Sequence, residues 1–99
     1  MKKQIYSIRD DLTFEFESPF IVFSELDCLR AVSSQVTTEL NKYEKGNIDF
    51  DPSIQHSTRS LFHIGEFDSA SGSITCSEPK VICKLSDAIN YYQKLLTDF

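Results

Sequence analysis

Hydrophobic and polar positions alternate over residues 12–17, where Leu12, Phe14 and Phe16 share one side and Thr13, Glu15 and Glu17 the other. That period of two predicts a half-buried strand. Residues 4–9 read as a preceding short strand, with Asp10-Asp11 as the turn between them. Ser18-Pro19 ends the alternation, and Phe20–Phe23 forms either a strand or a buried lead-in to a helix. From Ser24 the period changes. Leu26, Leu29, Val32 or Ser33, Val36, Leu40 and Tyr43 recur every three to four residues, which predicts a helix over about 25–43. Ser24 is its N-cap, Asp27 completes a weak capping box, and Gly46 is the stop. Residues 44–58 form a polar connection, with Ile48, Phe50 and Ile54 as candidate pins to the core. Its length suggests a functional or mobile loop.

The second half predicts a hairpin. Strands over 59–67 and 73–77 flank an Asp68–Gly72 turn, Glu78-Pro79 interrupts, and 80–85 forms a further strand. In that last strand Val81, Cys83 and Leu85 should share one face, and Lys80, Ile82 and Lys84 the other. Ser86 caps a final helix over 87–97, with Leu85, Ala88, Ile89, Tyr92, Leu95 and Leu96 as its apolar stripe. The order β-β-α-β-β-β-α predicts one α+β domain over residues 1–99. An antiparallel sheet of four to five strands, with two helices on one face, would bury every apolar stripe.

The net charge of −5 changes the functional picture most. Non-specific nucleic-acid affinity comes mainly from neutralised phosphates, so this balance argues against a general DNA coater while permitting a local basic patch. The three cysteines, Cys28, Cys76 and Cys83, are odd in number and lack CxxC spacing, which points to a reducing cytoplasm and to thiols acting as small hydrophobes. No apolar run resembles a signal peptide or reaches membrane-spanning length.

Catalytic chemistry is sparse. His63 and Glu66 are the nearest approach to a base with a carboxylate, yet their separation puts them on opposite faces of one strand. His56, His63, Cys76 and Cys83 lack zinc-site spacing, and Asp49 and Asp51 lack the regular oxygen ligands of a calcium loop. There is no Gly-rich phosphate loop and no nucleophile elbow. The expectation is therefore no enzyme, no cofactor and no metal.

Binding remains. Single-stranded nucleic acid is gripped by sheet aromatics beside a basic rim. Tyr6, Phe14, Phe16, Phe62 and Phe67 are candidate sheet aromatics, unless they serve the core. Lys2, Lys3, Arg9, Lys80 and Lys84 lie on strands or near their ends, and with Tyr6 they form the candidate nucleic-acid-binding set. The competing reading is an acidic interaction module. Its apolar Phe20–Phe23 run and terminal Phe99 would support a homodimer or docking on a replication, capsid or host protein.

Several blocks carry a family resemblance. Ile5-Tyr6-Ser7-Ile8-Arg9-Asp10, Pro19-Phe20, Arg30-Ala31 and the hairpin Phe62-His63-Ile64-Gly65-Glu66-Phe67-Asp68-Ser69-Ala70-Ser71-Gly72, with Ile74 and Pro79 after it, occur in order. In these the chain resembles the small nonstructural protein of gokushoviruses, microviruses with circular single-stranded DNA genomes. The resemblance implies a non-virion protein of the infected bacterial cytoplasm, often labelled DNA-binding, that acts in genome replication or packaging. It transfers no binding residues. Gly65, Asp68 and Gly72 read as determinants of the fold, Gly65 through close packing and the other two through the turn.

Overall fold

The computed structural model describes residues 1–49 and 51–98, so the expected roles of Phe50 and Phe99 lie outside the described residues. The described elements are β1 (Lys2–Asp10), β2 (Glu15–Phe16), β3 (Phe20–Val22), α1 (Glu25–Glu44), α2 (Pro52–His56), β4 (Arg59–Asp68), β5 (Ile74–Lys84) and α3 (Ala88–Thr97). The α+β class and the antiparallel sheet are as expected. The sheet runs β2-β1-β4-β5, and β3 pairs with the part of β1 that β2 leaves free. Both β1 and β4 are central, while β5 is an open edge.

Local chemistry sets the element ends. Ser24 Oγ accepts from the Asp27 amide at 3.2 Å, the expected N-cap, and donates to the Asp27 carboxylate at 3.1 Å, so Asp27 meets the Ser24 hydroxyl and not the backbone N–H that would complete a capping box. At the other end of α1, the Gly46 amide bonds to Tyr43 O and the Asn47 amide to Lys42 O, the paired closure of a Schellman motif. In the β4–β5 turn the Gly72 amide donates to Asp68 O, and the Asp68 side chain accepts from the Ala70 amide. Gly72 there takes φ +76°, which suits glycine.

Four further expectations need correction. Residues 12–17 do not form a strand: 11–14 turn, and only Glu15–Phe16 pairs with β1, leaving Leu12 and Phe14 exposed. The loop 44–58 contains α2, which starts at the Asp51 cap and Pro52. Buried Pro52 and His56 hold it, with His56 Nε2 2.9 Å from Glu39 Oε2 on α1. Glu78-Pro79 does not split β5; the strand runs through it, because a register shift between His63 and Gly65 leaves Pro79 outside the ladder at a bulge on an edge strand. Finally, Ser86 caps nothing: Leu85–Asp87 is a 3-10 turn that leads directly into α3.

A second bulge overturns the expected faces of residues 80–85. Cys83 pairs with Leu61 and Val81 with Phe62, so Cys83 and Val81 point to opposite sides. Bulged Ile82 joins Cys83 against the core. That core lies between the sheet and the helices, built from Tyr6 and Leu61 on the sheet, Cys28, Leu29, Val32 and Val36 on α1, and Leu85 with Ala88 leading into α3. Burial pushes the thiols of Cys28 and Cys83 up to about 12 and about 11, so both stay protonated and pack as hydrophobes. Among the described residues no helix is long and apolar enough to cross a membrane.

Candidate nucleic-acid interface

Both helices that build the core pack on one side of the sheet, and among the described residues no helix covers the other. Register assigns the strand residues to these two sides. Gln4, Tyr6 and Ile8 of β1, Phe20 and Val22 of β3, and Leu61 and His63 of β4 face the helices. Lys3, Ile5, Ser7 and Arg9 face the open side, together with Ile21, Ser60, Phe62, Cys76, Val81 and Lys84. One-sided antiparallel sheets present mostly polar groups to water. This open face is apolar over much of its area, so the expectation that two helices would bury every apolar stripe fails.

An aromatic cluster occupies one end of the face. The Arg9 guanidinium carbon lies 4.6 Å from the Phe62 ring centre and 5.2 Å from that of Phe14. Phe16 meets Phe62 edge-on at 5.3 Å. Phe62 is buried, whereas Phe14 is 67% and Phe16 44% exposed. Phe14 takes φ 61°, a left-handed conformation that a bulky side chain rarely adopts, at the last position of the turn that returns the chain from β1 to β2. Arg9 also pairs with Asp11 at 2.9 Å. A hydrogen bond from Ser60 Oγ (2.7 Å) and the Arg9 contact hold the Asp11 carboxyl below the usual carboxylate range. At the opposite end of the face, the Lys3 ammonium lies 5.0 Å from the ring centre of exposed Phe23. Lys3 and Arg9 are six residues apart on one strand, or roughly 20 Å.

The structure divides the six candidate residues. Lys3, Arg9 and Lys84 share the open face, Lys84 opposite Ser60. Lys2 pairs with Glu66 at 3.6 Å and, with the residues flanking it alternating, belongs to the helix side; Lys80 lies opposite His63 on that side too. Tyr6 is only 3% exposed, wedged against Phe20 and His63 in the core, so no base can stack on it. Its burial also holds the phenol well above the ordinary tyrosine range. Phe23 was missed as a sheet aromatic. The short β3 that carries its backbone alongside β1 is what brings it over Lys3.

Against expectation, the bulge at Ile64 puts His63 and Glu66 on the same, helix-facing side of β4, opposite Tyr6 and Gln4, but each has its own partner. His63 Nε2 lies 2.7 Å from Gln4 Oε1, and Glu66 is engaged by Lys2. Among the described residues no three His, Cys, Asp or Glu side chains group as a metal would require. Register puts the strand carboxylates of Asp10, Glu15, Glu66 and Asp68 on the helix side. The open face thus escapes much of the net negative charge.

These features define a small two-layer α+β protein with one helix-covered and one bare, aromatic sheet face. The chain belongs to the Phage ORF5 protein family, which matches residues 3–88. The match takes in nearly the whole sheet and ends at Ala88, the first residue of α3. No curated protein and no solved structure matches the chain.

Proposed function

We propose that this phage protein is a non-enzymatic accessory factor that binds single-stranded nucleic acid through the aromatic end of its open sheet face. The observation that carries the reading is Arg9 stacked between Phe14 and Phe62, with Phe16 beside them, on a face that no described helix covers. Exposed rings accept bases in any sequence, and a cation among them meets the adjacent phosphate. Stacking contributes roughly 1–3 kcal/mol per base, so two exposed rings give weak binding by the monomer. Family membership, and the resemblance to gokushovirus nonstructural proteins, support a role in replicating or packaging a single-stranded DNA genome in the bacterial cytoplasm. Phage or host replication and packaging proteins would then be partners on the same strand.

Fluorescence anisotropy of a labelled oligothymidine tests this. Engagement of Lys3, Arg9 and Lys84 predicts a log–log salt slope near about −2, since single strands lose about 0.7 per neutralised phosphate. Phe16→Ala should weaken binding about tenfold, the lower part of the range for one lost stacking partner. Absence of binding at low salt, or binding indifferent to Phe16→Ala and Arg9→Ala, would remove the reading and leave a protein-interaction module.

A further inference from the structure

Beside the aromatic end, the open face holds an apolar cleft of about 260 Å³ lined by Ile5, Pro19, Ile21, Ile64, Ile74 and Cys76. None of these carries a charge, and the Cys76 thiol is their only polar side-chain group. Ile21 is 47% and Ile74 61% exposed, so the mouth is open to solvent.

Two cation–ring pairs bracket the cleft. Ile5 lies between Lys3 and Arg9 on the open side of β1. Lys3 with Phe23 stands roughly 7 Å along the strand in one direction, and Arg9 with Phe14 and Phe62 roughly 13 Å in the other. At about 3.4 Å per stacked nucleotide, the longer span is about four nucleotides. Along β1 this side carries two cations and no carboxylate, which suits a phosphate backbone.

We infer, on the reading that the open face binds a single strand, that this cleft is a base subsite that takes the C5-methyl group of thymine. A strand engaging both cation–ring pairs must cross the cleft, and only an unpaired base is free to turn into it. An apolar cavity of about 150 Å³ already admits benzene, so this one has room for a six-membered pyrimidine ring. The lining selects the edge that enters. Carbonyl and N–H groups of a base would lose water there and find no side-chain partner, so they stay outside. The thymine methyl is apolar and meets isoleucine as it meets other apolar side chains. Uracil presents only a C5–H in the same place. One buried carbon separates the two bases by about fourfold in affinity, the equivalent of roughly 0.8 kcal/mol.

Anisotropy titrations of the full chain with two labelled DNA strands of about eight nucleotides, oligothymidine and oligodeoxyuridine, test the subsite. The two differ only in the methyl groups. Oligothymidine should bind about fourfold more tightly. Ile21→Ala and Ile74→Ala, both at exposed positions, should bring that ratio close to one, with unchanged circular dichroism spectra establishing that the variants fold. Phe16→Ala should weaken both strands and leave the ratio as it is. Equal affinity of the parent for the two strands, or a ratio that survives both cleft variants, would overturn the subsite while binding that depends on Phe16 upheld the nucleic-acid reading. A ratio that collapses in Phe16→Ala would assign the methyl preference to stacking at the aromatic end, and would overturn the subsite as well. Absence of binding by either strand would remove both.

Discussion

Phe14 sits where glycine or asparagine would relieve the backbone. Its φ of 61° carries a penalty of roughly 1–2 kcal/mol, partly offset by about 0.5–1 kcal/mol from the exposed ring against Arg9. Phe14→Gly should therefore leave thermal stability unchanged or raise it by about 1 kcal/mol, while oligonucleotide binding falls. A loss of both would make Phe14 a structural residue. Asp11 acts in the opposite sense: it holds Arg9 and competes with an incoming phosphate, so Asp11→Asn should tighten binding. Its carboxyl is lowered in the folded chain, chiefly by Ser60 and then by Arg9. The stabilisation is present above the unfolded carboxylate value of about 3.9 and is lost as pH falls through the lower folded value. Acid titration of stability should consequently be shallower in Asp11→Asn than in the parent. The sequence identified Arg9 and Phe16 as candidates, but it could not separate Tyr6 from them. All are strand aromatics or cations, and only the side on which each falls decides between core and surface.

Among the elements, local signals were legible where they had local causes. The Ser24 cap and Gly46 bounded α1, and Asp68 with Gly72 bounded the hairpin, because those residues satisfy nearby backbone groups. The alternation over 12–17 misled, since the same pattern serves a turn that displays Leu12 and Phe14 outward. The two β5 bulges were invisible because each depends on pairing with β4, and a one-residue slip reverses every face beyond it. Gly65 ties these elements together. A Cβ built there would stand 2.5 Å from Thr75 O, on the backbone of β5. Gly65→Ala must push β5 away from β4 and should lower stability by roughly 2 kcal/mol, as overpacking against an unyielding neighbour does. Chemical denaturation checks this, and an unchanged midpoint would mean that the edge strand moves freely.

For the whole molecule, the α+β class was legible from the succession of periodic segments, but the bare second face was not. Each apolar stripe in the sequence looks the same whether helices, a second copy or a ligand covers it. Only the assembled sheet shows that α1 and α3 cover one side and leave Ile21, Ile74, Phe16 and Phe23 on the other. If that open face is the working surface, a bound strand must perturb it and leave the helix layer untouched. Amide chemical-shift mapping of the labelled protein during titration with oligothymidine decides the matter. Shifts should concentrate at Arg9, Phe14, Phe16 and Phe62 and at Lys3 and Phe23, with α1 and α3 unmoved. Shifts confined to the helix layer, or none at saturating oligonucleotide, would contradict a nucleic-acid role for the open face.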